Sequence, residues 1–428
     1  MNNKKWMAIL LGGIMAASLA APCSVSAAEK TTLTFWHAMG GTNGEVLQQI
    51  VDDFNASQDE IEIKAEYQGT YDDTITKLKA AMQSDSGLPD VCQMYDVGTK
   101  FMYDSGAVIP VEDKFESTGY DKSSVMEVIS SYYTVDGKQY AMPFNVSTPM
   151  LYYNKDVFEA AGLDPETPPT TYDEVLEDAK KIVESGAAPV GYSQAIYGWF
   201  FEQQLAGLGV TYGNNDNGRK EAVTAVDFDS NGGGLKVFDM WKKLYDSGYF
   251  EDYGTTTADT QTAFFSGQVG MIIESTAILK NAVDSSPFEV GTGYLPRIEQ
   301  NDEGGVIIGG GSLWLTDTGN EANEDAAWKF IEYITTPDVQ AKWSMGTGYF
   351  AINEKAYETE DMKAYLKENP NFETAINQLK DSPVNCNTAG VLSGVQTEAR
   401  LTFNEIMPQV YDCLLYTSDA ADDLIGVD

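Results

Sequence analysis

The chain has 428 residues, with 65 acidic against 27 basic side chains and a formal charge of -38. So acidic a surface repels polyanions, which argues against nucleic acid and anionic membranes as partners and suits a highly soluble protein. With 43% hydrophobic and 11% aromatic residues there is material for substantial cores, and the length suits two domains.

Lys4 and Lys5, the apolar run at 7–21 and the small residues at 25–27 read as a secretory signal peptide, with cleavage expected after Ala27. The run is too short to span a bilayer. Lipid attachment at Cys23 is the alternative, and Pro22 disfavours it. Residues 413–428 resemble an adapter-derived translation, so the native chain is expected to end near Asp412. Cys92 and Cys386 remain. Two cysteines make no disulfide framework, and they read as free buried thiols or as one bridge.

Residues 31–36 alternate in polarity and predict a first strand. Val46, Leu47, Ile50, Val51 and Phe54 form the stripe of a helix over 43–57. A strand at 61–67, a helix at 74–82 and a short buried strand at 90–95 follow. This alternation predicts an open, largely parallel α/β sheet. Ligands in such sheets sit beyond the carboxyl ends of strands, which draws attention to Gly69, Thr70 and Tyr71 after the second strand and to Tyr95 and Asp96 after the third.

Residues 141–154 are extended and proline-flanked, a first crossing between lobes. Thr171 and Glu174 form a capping box, and Val175, Leu176, Ala179, Ile182 and Val183 give that helix a buried face. A helix over 235–245 and a strand over 268–273 follow, and Ser275 opens the next helix. Extended runs at 288–296 and 306–314 read as the return crossing. A helix spans 321–336, Pro337 begins another, and 346–349 is a third crossing. The expected division is 28–146 plus 289–343 for one lobe and 147–288 plus 344–412 for the other. Within the return crossing stand Gly309, Gly310 and Gly311. Glycine in a strand marks either a bulge or a close approach to bare backbone, here by a ligand at the floor of a cleft. Both readings stand.

Chemistry is sparse. His37 is the single histidine, expected to donate a hydrogen bond near the end of the first strand. There is no metal-ligand spacing, phosphate loop or nucleophile elbow. No cofactor or metal is expected, and an enzyme is disfavoured, with a two-carboxylate glycosidase as the remaining catalytic alternative. Neutral donors and aromatics are available instead: Tyr71, Ser147, Tyr172, Ser275 and Tyr349. Ser275 reads equally as a helix cap and as an anion seat. The planar fork of Arg400 could grip a phosphate or carboxylate through two bonds, or be an exposed surface charge.

The motifs Phe35-Trp-His-Ala-Met39, Gly69-Thr-Tyr71, Tyr95-Asp-Val-Gly-Thr99, Pro143-Phe-Asn-Val-Ser-Thr-Pro149, Leu151-Tyr-Tyr-Asn-Lys-Asp156, Gly162-Leu-Asp-Pro165, Ile308-Gly-Gly-Gly-Ser-Leu-Trp314 and Thr347-Gly-Tyr349 together resemble the extracellular solute-binding proteins of ATP-driven (ABC) importers, family 1. The resemblance spans about residues 31–407 and is similar above all to the branch that captures glycerol phosphates. It implies a two-lobed α/β periplasmic-binding-protein fold of type II, closing about a hinge of several strands. It implies ligand contacts at Tyr71, Asp96, Ser147, Ser275, Gly310, Tyr349 and Arg400. Asp96 stands where the family has Glu, and Tyr172 where a tryptophan packs on the glycerol part. The implied function is capture of sn-glycerol-3-phosphate or a glycerophosphodiester by a periplasmic monomer that delivers it to permease subunits in the membrane. A neutral sugar or oligosaccharide is the alternative ligand.

Overall fold

The structure is a computed structural model that describes residues 30–84 and 87–413. The signal segment with Cys23, and the tail beyond Cys413, lie outside the described residues.

The first lobe begins with β1 (Thr31–His37), α1 (Gly41–Ser57), β2 (Ile61–Tyr67), α2 (Tyr71–Met82) and β3 (Val91–Tyr95). The alternation in β1 turns Leu33 and Phe35 inward, where both are fully buried. Each such side chain contributes about 1.5–3 kcal/mol. The stripe in α1 covers the same core with Leu47, Ile50, Val51 and Phe54. β1 pairs in parallel with β2 and with β3.

The chain then runs through β4 (Met142–Ser147) and, after Thr148, β5 (Pro149–Asn154). β4 belongs to the first lobe's sheet and β5 to the second's, so Thr148 is the crossing point. The second lobe adds α3 (Tyr172–Ser185), β6 (Val190–Ser193), α4 (Gly198–Gly207), α5 (Gly233–Asp246), β7 (Val269–Ser275) and β8 (Val290–Gly293). Its sheet runs β8-β5-β7-β6. The capping box at Thr171 and Glu174 is present with both of its hydrogen bonds, and Gly186 ends α3 in the left-handed conformation.

β9 (Gly309–Thr316) returns to the first lobe and pairs antiparallel with β3 and with β4. That sheet is therefore mixed rather than largely parallel. β8 pairs with β5, so the return crossing follows Gly293 and the expected boundary at 289 shifts to beyond β8. The chain closes with α6 (Glu321–Ile334), α7 (Pro337–Thr347), α8 (Asn371–Asp381) and α9 (Gln396–Tyr411). Pro337 occupies the first turn of α7, where its missing N–H leaves nothing unpaired. Between α7 and α8 the chain touches β4 again: Phe350 N–H donates to the Val146 carbonyl at 2.9 Å. The last helix, α9, packs on α4 and α5 and so belongs to the second lobe.

The glycine run contains a bulge. The register of β9 against β4 shifts between Gly311 and Ser312. Gly310 has φ +91°, and a Cβ there would overlap the Asn145 carbonyl oxygen. A Cβ on Gly309 would lie 2.6 Å from the Trp199 ring. The groups that come close to the bare backbone are thus Asn145 and Trp199.

His37 is buried, and its Nδ1 accepts from Met39 N–H at 3.3 Å. It is an acceptor rather than the expected donor, and burial holds its pKa down at about 4. Cys92 and Cys386 are free thiols. Burial pushes the Cys92 thiol up to about 12.

Candidate ligand-binding cleft

On the first-lobe side, β3 ends at Tyr95, and Asp96 opens a short 3-10 turn beyond it. Asp96 is 5% exposed. α2 begins at Tyr71, behind a capping box of Thr70 and Asp73. The Tyr71 ring stacks on Tyr95 with centroids 5.2 Å apart and planes 8° apart. The Tyr71 hydroxyl accepts from Asn145 Nδ2 at 2.7 Å, and Asn145 Oδ1 accepts from Gln93 Nε2 at 2.7 Å. This network fixes the phenol, and burial raises its pKa well above the usual value. Tyr349 is buried beside it, stacked on Trp343 at 5.7 Å.

On the second-lobe side, α4 and α9 meet closely. A Cβ on Gly198 would stand 2.6 Å from Arg400 Cα, so only glycine lets the two helices approach this far. The approach places Glu202 against Arg400. Arg400 Nε donates to Glu202 Oε1 at 2.6 Å and Nη2 to Oε2 at 2.8 Å, a two-bond fork. Gln396 Nε2 also donates to Glu202 Oε1, at 2.6 Å.

The two sides join at Arg400. Its Nη2 donates to Asp96 Oδ2 at 2.7 Å. Tyr95 and Thr397, one from each lobe, add a hydroxyl–hydroxyl contact at 3.2 Å. Arg400 is 8% exposed. Its burial works against the charge, but Asp96 and Glu202 outweigh burial and drive its pKa above the ordinary arginine range. The exposed-surface reading of Arg400 is excluded.

The structure thus gathers Asp96 and Arg400 in direct contact, with Tyr71 and Tyr349 grouped around Asn145. Ser147 is buried at the end of β4, opposite Gly309, which touches Trp199. Gly310 faces Val146 in the same ladder. Ser275 ends β7, and its hydroxyl accepts from Ala277 N–H at 3.1 Å as a cap.

Tyr172 is a correction. It is 2% exposed, within the second lobe's core. Its hydroxyl accepts from Gln204 Nε2 at 2.8 Å, and its ring meets Tyr192 edge-on. At the first turn of an amphipathic helix it serves the core and not the cleft. The aromatics beside Arg400 and Asp96 are instead Tyr197 and its neighbour Trp199, at the start of α4. Burial pushes the Tyr197 phenol up to about 12, opposed by Arg400 and reinforced by Asp96. The buried Trp199 Nε1 has no hydrogen-bond partner. Glu202 was also missed from sequence. The sign of this region was present all the same: Tyr197-Gly-Trp199, a glycine between aromatics at a helix start.

Among the described residues no cluster of His, Cys, Asp and Glu could hold a metal ion, and no helix is long and apolar enough to cross a membrane.

Residues 49–374 match the model of the bacterial extracellular solute-binding proteins. The chain belongs to this family. It is 33% identical over 389 residues to the sn-glycerol-3-phosphate-binding periplasmic protein UgpB of Brucella abortus (strain 2308), covering 90% of this chain and 89% of that protein. It is 31% identical over 388 residues to UgpB of Escherichia coli (strain K12), covering 89% and 88%. Among solved structures, UgpB from Mycobacterium tuberculosis in complex with glycerophosphocholine superposes with a TM-score of 0.78 at 20% identity, over 92% of this chain and 96% of that one. The cyclic alpha-maltosyl-1,6-maltose binding protein from Arthrobacter globiformis superposes at 0.76 and 25% identity, over 92% and 97%. The two-lobed α/β architecture and the solute-binding role therefore stand on both comparisons.

Proposed function

We propose that this chain is the substrate-binding component of an ABC importer and captures sn-glycerol-3-phosphate or a glycerophosphodiester between its lobes. The observation that carries the reading is the buried guanidinium of Arg400, held at the seam by carboxylates from both lobes. A guanidinium in a buried site is suited to a phosphate, since its fork matches two oxygens at once. The names of the relatives point the same way.

In this reading Arg400, Ser147, Ser275 and the backbone at Gly310 hold the phosphate, and Asp96, Tyr71 and Tyr349 hold the glycerol end. Trp199 and Tyr197 replace Tyr172 as the wall. The ligand takes over the contact that Asp96 makes with Arg400, and closure about the three crossings buries it. The chain works as a periplasmic monomer after removal of residues 1–27, or is anchored through Cys23, and its closed form docks on the permease subunits. It catalyses no reaction and uses no cofactor or nucleic acid.

A neutral sugar is the second reading, favoured by one observation. Arg400 already has two carboxylate partners, and polar side chains flanked by Tyr197 and Trp199 suit a sugar ring. A melting-temperature panel of sn-glycerol-3-phosphate, glycerophosphocholine, maltose and glycerol separates the two. A true ligand at about a hundred times its dissociation constant adds roughly 2.7 kcal/mol of stability. The phosphate reading expects this of a glycerol phosphate and not of maltose. A shift with maltose alone would overturn it.

A further inference from the structure

Glu202 is the group in the cleft that capture of a phosphate leaves unexplained. The seam holds one guanidinium and two carboxylates, all nine-tenths buried or more, so its local charge is negative before any ligand enters. Among the described residues Arg400 is the one cation that pairs with Asp96 or Glu202. Arg219 is half-buried, but its guanidinium is spent on the carbonyls of Tyr132, Ala389 and Gly390.

The two carboxylates differ in how they are held. Asp96 lies on the opposite lobe from Arg400, so opening of the hinge carries it away and a ligand can take its place. Glu202 shares a lobe with Arg400. The contact of Gly198 with the Arg400 backbone locks their helices together, and Gln396 holds the carboxylate from the next turn of α9. Glu202 therefore stays beside Arg400 in the open form and in the ligand-bound form. Any phosphate on Arg400 must share the guanidinium with a fixed negative charge a few ångströms away.

A phosphate monoester carries about −1.5 to −2 at neutral pH, whereas a diester carries a single charge. Repulsion from a carboxylate in a site of low dielectric rises in proportion to that charge. We propose that Glu202 is a specificity residue, which makes this cleft select singly charged glycerophosphodiesters over doubly charged phosphomonoesters. The proposal rests on the phosphate reading above and narrows it.

The test is calorimetric titration at pH 7.5 of the wild-type chain, Glu202→Gln and Glu202→Asp with sn-glycerol-3-phosphate, glycerophosphoglycerol and maltose. Glycerophosphoglycerol is a diester without a cationic head, so a preference for it reports phosphate charge alone. The wild type is expected to bind the diester at least ~10-fold more tightly than the monoester. Glu202→Gln is expected to tighten both phosphates, the diester ~10-fold and the doubly charged monoester ~100-fold, and so to erase the preference. Glu202→Asp, which keeps the charge, is expected to retain the preference, separating charge from packing. Equal binding of the two phosphates by wild type overturns the proposal while leaving phosphate capture intact. So does a preference that Glu202→Gln leaves unchanged. Saturation by maltose with no heat from either phosphate overturns the phosphate reading itself, and this inference with it.

Discussion

Arg400 Nη2 lies 2.7 Å from Asp96 Oδ2, and this contact ties α9 of the second lobe to the end of β3 in the first. It closes the seam between the lobes. Asp96→Asn keeps the shape and removes the charge, while Arg400 retains its fork to Glu202. The fold should therefore survive with the closed form weakened. Small-angle scattering of the ligand-free protein should show a larger radius of gyration for Asp96→Asn than for wild type. An unchanged radius would mean that the contact contributes nothing to closure.

Arg400→Ala has a different consequence. It leaves two buried carboxylates facing each other without a cation, and breaking a buried pair in this way costs about 3–5 kcal/mol. The urea midpoint at pH 7.5 should fall accordingly.

Gly310 makes a separate demand. Its φ of +91° disfavours any side chain, and a Cβ would collide with the Asn145 carbonyl. Gly310→Ala should destabilise the chain by about 1–3 kcal/mol and displace Asn145, which orients Tyr71. Ligand affinity should drop with stability. A variant that melts like wild type would show that the bulge relaxes freely.

Glu274 supplies a pH signature. It is fully buried near the end of β7, bonded to Gln261 Nε2 and Ser275 N–H. Burial raises its pKa from 4.5 to about 7, with both hydrogen bonds pulling the other way. The folded chain therefore holds this proton between about 4.5 and 7 while the unfolded chain releases it. Its contribution to stability is full below 4.5 and is lost as pH rises through 7, a change of about 3 kcal/mol. Glu274→Gln should remove that slope and be the more stable protein at pH 8, as read by urea midpoints across pH 4.5–8. Parallel curves for the two proteins would contradict the assignment.

Local pattern made most of the first lobe legible. The stripe of α1, the alternation of β1 and β2, and, in the second lobe, the capping box at Thr171 speak through neighbours three or four residues apart, and each element formed close to its expected place. Contacts between distant segments did not speak that way. The Glu202–Arg400 fork joins residues 198 positions apart, and nothing near either one announces the other. Tyr172 was misplaced for a related reason: an aromatic at a helix start looks the same whether the helix turns it to the core or the cleft. The left-handed turn at Asn215, Asp216 and Asn217, which precedes Arg219, was equally silent, because asparagine and aspartate tolerate that conformation without requiring it. The glycine run gave a true signal, and the groups close to its backbone, Asn145 and Trp199, come from segments far away in the chain.

The account centres on one small phosphorylated guest held at Arg400 between the lobes. Calorimetric titration of glycerophosphocholine into the wild-type chain and into Arg400→Ala, with maltose alongside, tests this most directly. The predicted result is one molecule bound per wild-type chain, affinity at least ~100-fold weaker in Arg400→Ala, and no heat from maltose. Saturation by maltose with none by glycerophosphocholine, or equal affinity in the two proteins, would contradict it.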